Sequence, residues 1–298
     1  MRALEALGPG IFVLGLLAFG WTGCGTLGWR LTFPPQSPTV GFWPLLRAKA
    51  VADGLNVLLP LLSLGGEPLR ALWLGRSLGI NRAAATVVIS KLNFIAAGFL
   101  LVLFAIPALA ASGVLTPKLA LGLALFLSLG GLGFSGGYLA VRRRKVRKLP
   151  ALLRRLRLPL RSDAEARWLE IDELLYAFCF AGGGRSALVL LLHLLERGLH
   201  ALEFWLLFWL MDLPMGPLEA FSAYALATAA NTAFFFMPAG QIGVSEGSQT
   251  LALVWLGASP ETGLAISLAR RLRSLVWAGC WVLWGRQALA DAAPGPAH

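Results

Sequence analysis

The tightest constraint on this chain is a set of apolar runs long enough to cross a bilayer. From Ala83 to Ala111 only Lys91 is charged, and from Leu119 to Val141 no residue is. A helix needs roughly 20 mostly apolar residues to span membrane hydrocarbon. Of the whole chain, 57% is hydrophobic and 14% charged, beyond the ~45–50% apolar share that a soluble domain can bury. The alternation that marks a transmembrane β-barrel is absent. The fold class expected is therefore an all-α polytopic membrane protein.

The runs divide the chain. A first span covers residues 9–29 and ends at Arg30, followed by the turn-rich "FPPQSP". Residues 45–62 are apolar, and a short amphipathic piece, "EPLRALWLGRSLGINR", follows. Spans are then expected at 83–111, 119–141, 186–211 and 261–285, about five full spans in all. One membrane domain covers 1–290, with a first half over 40–141, a connecting loop over 142–180 and a second half over 186–288; residues 291–298 read as a disordered tail. The first span reads as retained rather than as a cleaved signal, because its apolar stretch is too long.

The net charge of +11 is unevenly spread. Residues 142–167 hold a dense run of Lys and Arg, including Arg142, Arg143, Arg144, Lys145, Arg147 and Lys148. Beside transmembrane spans such a run is held in the cytoplasm and lies near anionic lipid heads. The run is therefore expected to be a cytoplasmic loop, with membrane lipids as partners and no nucleic acid. Cys24, Cys179 and Cys280 are too scattered for a disulfide frame or a metal site.

Two segments interrupt the apolar pattern in the same order. The first reads Asn56, Pro60, Gly65, Gly66, Glu67, then Gly79, Ser90 and Lys91; the second reads Asn231, Pro238, Gly243, Glu246, Gly247, then Gly257, Ser267 and Arg270. Each suits a re-entrant hairpin of two half-helices around a break. Counted from a cytoplasmic basic loop, the first opens to the cytoplasm and the second to the outside. Two such units form an inverted repeat, a transporter design in which broken helices meet near the midplane. Arg47, Lys49, Arg70, Arg76 and Arg82 surround the first segment, whereas no Lys or Arg lies between Arg197 and Arg270, the asymmetry expected of opposite faces. Glu67 would start the second half-helix, where the dipole favours a carboxylate, and Arg70 at i+3 could pair with it. Two ordinary spans joined by a polar loop would account for the same residues.

Charges also sit where lipid should be. His193, Glu196, Arg197, His200 and Glu203 share one helix face. Each charge costs at least ~2.5–3.5 kcal/mol in hydrocarbon, so the face must meet a cavity or mutual partners, Glu196 with His200 and His193 with Arg197. Lys91 and the triplet Arg270, Arg271 and Arg273 could hold an anionic headgroup or snorkel to the interface. Tyr224, Asn231 and Thr232 could line the same space. Substrate contact is thus expected of Glu67, Arg70, Lys91, His193, Glu196, Arg197, His200, Glu203, Asn231, Glu246 and Arg270. Hydrolase, metalloprotease, Walker and Rossmann signatures are missing. Neither a cofactor nor a metal is expected, the arginine between the histidines arguing against a cation.

At "LNVLLPLLSLGGEPLRALWLGRSLGINRAAATVV" and "FFFMPAGQIGVSEGSQTLALVWLGASPETGLAISLARRLR" the chain resembles the lysylphosphatidylglycerol synthase membrane-domain family, most closely the branch found beside hopanoid biosynthesis genes. That pattern is Asn and Pro ahead of Gly-Gly-Glu, then Pro, Gly, Val and Glu-Gly, here Asn56, Pro60, Gly65, Gly66 and Glu67, then Pro238, Gly243, Val244, Glu246 and Gly247. The similarity runs from about residue 47 to 285, while the N-terminus departs from it, since relatives usually carry one more span. The resemblance implies a flippase-like unit moving a hopanoid, polyprenyl phosphate or phospholipid between leaflets, with lipid-biosynthesis proteins as possible partners. It does not imply lipid lysinylation, because the soluble aminoacyl-transfer domain of the synthases is absent. A membrane enzyme acting on a lipid headgroup through Glu196 and Glu203 is the alternative.

Overall fold

The structure is a computed structural model that describes residues 2–58, 66–155, 164–181, 183–233 and 243–286. Among these residues there are eleven α-helices and no strand. They are α1 (Arg2–Leu31), α2 (Phe42–Leu58), α3 (Gly66–Leu78), α4 (Ile80–Ala111), α5 (Pro117–Arg142), α6 (Leu149–Arg155), α7 (Ala164–Tyr176), α8 (Arg185–Leu210), α9 (Pro217–Ala233), α10 (Val244–Trp255) and α11 (Pro260–Trp284). A 3₁₀ turn, Val146–Lys148, leads into α6, and a π-helical turn, Ala177–Ala181, extends α7. The expected breaks at Pro60, Gly65 and Pro238 fall outside the described residues.

Burial is inverted relative to a water-soluble protein. Lys49, Arg70, His193, Glu196, Arg197, Glu203 and Arg270 are buried, while Phe12, Leu16, Phe104, Leu121, Leu129, Leu132 and Leu283 are exposed. Ionised side chains are almost never fully buried without partners, and an exterior of Leu and Phe is stable only against lipid. The polar interior and apolar rim therefore identify the solvent of this fold as a bilayer.

Among the described residues three helices combine span length with an apolar composition: residues Phe12–Leu31 of α1, all of α4, and α5. The α8 and α11 helices have 26 and 25 residues, but Glu196, Arg197 and Glu203 on one and Arg270, Arg271 and Arg273 on the other lower their hydropathy. The charges that make them interesting also hide them from a count by composition. A fourth apolar unit is a bent one, α7 through Phe180 followed by α8, with an angle of 86° between the two parts.

The centre is a pair, α1 against α8, around which the others gather. The α2 helix packs on α3 and α11; α9 packs on α10 and α4; α3 lies along α4 and α10 along α11. Leu14 of α1 meets Phe204 and Phe208 of α8 in one apolar cluster, and Trp29 joins Leu45, Leu74 and Ala83 in another. The α5 helix is peripheral, with Leu123 its one buried residue, and attaches through Phe126 stacked on Phe99 at 4.6 Å.

With 32 residues, α4 is roughly 48 Å long at ~1.5 Å per residue, more than a ~30 Å hydrocarbon core. Its N-terminal turns project to meet α7. There Asn81 donates to Glu170 at 2.9 Å and Arg82 at 3.0 Å. The Asn81 amide, backed by Arg82, holds the Glu170 carboxyl below its ordinary range against the opposing effect of partial burial. From the basic run, Arg144 reaches Asp172 at 3.4 Å and covers the Tyr176 ring at 3.7 Å, so part of that charge fastens α7 instead of facing lipid.

Candidate functional site

Two short helices, α3 and α10, begin with capped first turns, α3 by a side chain of α2 and α10 by its own Glu246. At α3 the Gly66 N–H donates to Asn56 Oδ1 at 2.8 Å, and Asn56 Nδ2 reaches Glu67 at 3.4 Å. Asn56 thus caps α3 from within α2, satisfying an orphan donor of the new helix. A Cβ on Gly66 would collide with the Ala52 carbonyl of α2, so glycine is what allows the two helices to meet. At α10 the Glu246 carboxylate reaches back to the Gly243 N–H at 2.8 Å, and Gly243 holds φ +90°, a conformation that favours glycine. Gly247 lies inside the first turn of α10, bonded to the Gly243 carbonyl at 2.8 Å, and nothing around it requires glycine.

Both first-turn acids meet a cation on the long helix that follows. Lys91 of α4 donates to Glu67 at 2.7 Å, and Arg271 of α11 approaches Glu246 at 3.6 Å. The pairing of Glu67 with Arg70 expected from their spacing is replaced by Glu67 with Lys91. Arg70 instead turns inward, 5% exposed, with its guanidinium 4.1 Å from the centre of the Trp29 ring. Its Nε and Nη2 find no hydrogen-bond acceptor among the described residues.

The polar face of α8 continues this lining. Glu196 accepts from His193 Nδ1 at 2.7 Å, and Lys49 of α2 bridges Glu196 at 3.4 Å and Asp53 at 2.7 Å. The bond to Glu196 fixes the proton of a neutral His193 on Nδ1, so its Nε2, 3.3 Å from Ser90 Oγ, accepts from the serine. Two turns on, Glu203 is fully enclosed. It accepts from Arg270 at 2.9 and 3.3 Å, pairs with Arg273, and lies 3.9 Å from His200. Arg270 also donates to Gln249 at 2.8 Å. The His200 ring is stacked on Trp21 at 4.2 Å and on Tyr224 at 5.6 Å. The pairs expected along this face, Glu196 with His200 and His193 with Arg197, are therefore each one step out of register: the carboxylates take the histidine at i−3.

These side chains enclose a cavity of about 420 Å³. Of the residues expected at a site, Glu67, Arg70, Lys91, His193, Glu196, His200, Asn231, Glu246 and Arg270 line it, as does Asn56. Arg197 and Glu203 do not. Arg197 is fixed to the Phe94 carbonyl of α4 at 2.9 and 3.1 Å and lies 4.0 Å over the Phe94 ring, which makes it a strut between α4 and α8. Glu203 stands behind Arg270 and Arg273. Lys49, Asp53, Ser90, Gln249, Arg271 and Arg273 also line the cavity. Lys49 and Asp53 carried a usable signal, an i, i+4 ion pair on an otherwise apolar helix. Lys49 and Arg70, expected among the charges of a cytoplasmic face, are both interior, so neither marks a side of the membrane.

A model of the family described as lysylphosphatidylglycerol synthase TM region matches residues 1–280. The match takes in α1, so the family region begins upstream of the stretch that carries the recognisable motifs. No curated protein and no solved structure matches the chain.

Proposed function

We propose that this chain, which belongs to the lysylphosphatidylglycerol synthase transmembrane family, moves a lipid with a polar or anionic headgroup between the leaflets of a bacterial inner membrane. The observation that carries the reading is the charged cavity of about 420 Å³ at the centre of a fold whose exterior is apolar. A headgroup crossing hydrocarbon alone faces a large desolvation cost; a channel of fixed charges and amides lowers it. In this reading the two capped short helices are gates on opposite faces of an inverted repeat. Support comes from matched packing, α2 on α11 against α9 on α4, and from Asn56 and Asn231, which occupy the same position counted from the first residue of α2 and α9. Five full spans follow if α8 and α11 cross with their charged faces inward, and the basic run at 142–167 then lies in the cytoplasm. The cargo in this reading is a hopanoid, a polyprenyl phosphate or a phospholipid. Purified protein in liposomes, with fluorescent lipid reduced from outside, tests it: exchange above protein-free vesicles is expected, and no exchange for any of these lipids removes transport.

A second reading has one specific observation in its favour. Ser90 Oγ, His193 Nε2, His193 Nδ1 and Glu196 form the sequence nucleophile, base and orienting carboxylate at 3.3 and 2.7 Å, within the cavity wall. An enzyme cleaving a lipid ester would use Ser90 as nucleophile, His193 to take and return its proton, and Glu196 to hold the imidazole. A fluorophosphonate separates the two: adduct formation mapped to Ser90, and lost in Ser90→Ala, supports the enzyme; a silent Ser90 alongside leaflet exchange supports the transporter.

A further inference from the structure

Charge balance within the cavity carries an inference about its ligand. Around the first half, Lys49, Arg70 and Lys91 stand against Asp53, Glu67 and Glu196, which leaves no excess. Around the second half, Arg270, Arg271 and Arg273 stand against Glu203 and Glu246, and Arg197 behind the wall meets the Phe94 carbonyl and no acid among the described residues, so the interior keeps at least one positive charge in excess while the histidines are neutral. The two adjoining segments outside the described residues, 59–65 and 234–242, contain no ionisable side chain, so they do not alter this balance. An uncompensated charge in a low-dielectric interior is costly, and a ligand of the opposite sign removes that cost.

Hydrogen bonding points the same way. Arg70 keeps two buried nitrogens without an acceptor among the described residues. Arg271 touches Glu246 only at 3.6 Å, beyond hydrogen-bond reach, and its side chain is 25% exposed. Of the other wall arginines, Arg270 is committed to Glu203 and Gln249, and Arg273 pairs with Glu203 while its Nε finds no acceptor among the described residues. The cavity thus has a surplus of donors, on Arg70 of α3 and on Arg271 and Arg273 of α11, and of these Arg70 and Arg271 have no carboxylate within hydrogen-bond reach among the described residues. Buried donors find acceptors in native proteins, and a guanidinium is shaped for the paired oxygens of a phosphate or carboxylate.

We infer that the cavity is a site for a single monoanionic group of the phosphodiester type, held by Arg271 and Arg70. The inference rests on the lipid-handling reading and narrows its substrate class. Zwitterionic headgroups bring a cation that the wall already has in excess. Lysylphosphatidylglycerol, the lipid in the family's description, carries two ammonium groups against one phosphate and is disfavoured for the same reason. Phosphodiester headgroups with one negative charge and neutral hydroxyls match both the charge and the amides of Asn56 and Asn231 in the wall.

The test is lipid retention by the purified full chain in dodecylmaltoside micelles doped with phosphatidylglycerol, phosphatidylethanolamine or lysylphosphatidylglycerol, read by native mass spectrometry. Phosphatidylglycerol is expected to bind at least tenfold more tightly than either of the others. Arg271→Gln is expected to remove that preference, a loss of tenfold or ~1.4 kcal/mol. Arg271 makes no hydrogen bond that the fold needs, and helicity and elution volume confirm folding. Asn231→Asp, which places a fixed negative charge in the wall, is expected to weaken phosphatidylglycerol by a similar factor and strengthen lysylphosphatidylglycerol. Glycerophosphoglycerol, the same headgroup without acyl chains, competes weakly if the anion arrives on a lipid and equally if it arrives in solution; either supports the charge assignment. Equal binding of the three lipids, or unchanged preference in both variants, overturns it. Micelles have no leaflets, so selective binding without leaflet exchange keeps this site and removes transport, and exchange without charge preference does the reverse.

Discussion

Replacing Glu203 with Gln separates the structural and electrostatic roles of the buried charges. Glu203 has 0% exposure and is the shared counter-charge of Arg270 and Arg273. Gln keeps the volume and can still accept a hydrogen bond, but it leaves two guanidiniums inside the bundle with no carboxylate between them. Breaking a buried pair by removing one partner costs about 3–5 kcal/mol, and two cations depend on this one acid, so the upper part of that range applies. For a chain of this size each kcal/mol moves the melting point by roughly 2–4 °C, so Glu203→Gln should melt on the order of 10 °C below the wild type in detergent. Combining it with Arg273→Gln should recover part of the loss, with a coupling of about 1–3 kcal/mol. The same variant raises the positive charge of the cavity, so retention of phosphatidylglycerol should increase while stability falls. A melting point within about 2 °C of wild type, below the shift of a single kcal/mol, would show that Glu203 is not the buried counter-ion assigned here.

Three further perturbations follow from the same contacts. Gly66→Ala forces a Cβ into the Ala52 carbonyl and should destabilise the α2–α3 junction by about 1–3 kcal/mol, read as a lower melting point; an unchanged one contradicts the close approach. Exchanging the charges in Glu67→Lys with Lys91→Glu should restore leaflet exchange that either single change abolishes, whereas failure of the double variant means the pair at 2.7 Å is not the unit that matters. Glu170 is held below the ordinary carboxylate range by Asn81 and Arg82, so its attachment of α7 to α4 is fully present above ~4.3, the unperturbed value, and is lost as pH falls through the lower folded value; hydrogen exchange of α7 should therefore accelerate only in strong acid in the wild type and show no such step in Glu170→Gln.

Periodicity is enough to place the long helices near their observed positions, because apolar length is a one-dimensional property. It also put the ionisable residues of α8 on one face, since 3.6 residues per turn fixes direction. What it could not supply was the identity of the neighbour across that face. Arg197 shares the face of His193 yet meets a backbone carbonyl of α4, because a carbonyl at Phe94 carries no signature in sequence. Glu67 had Arg70 at helical spacing, but Lys91 is delivered by tertiary packing and displaces it. Lys49 read as a surface charge because positive residues near a membrane usually are; only the convergence of α2 with α8 makes it an interior ion partner. Asn56 was legible as a break in an apolar run, and its function as a cap for another helix was not, since the two are joined through space.

The account depends on the interior being wet and positively charged. The direct measurement places a cysteine at Asn231 in a chain whose Cys24, Cys179 and Cys280 are replaced, then compares modification by anionic and cationic methanethiosulfonates of similar size in proteoliposomes. The account predicts that the site reacts, that the anionic reagent reacts faster, and that added phosphatidylglycerol slows it. A cysteine inert to both reagents, or one that prefers the cationic reagent, contradicts it.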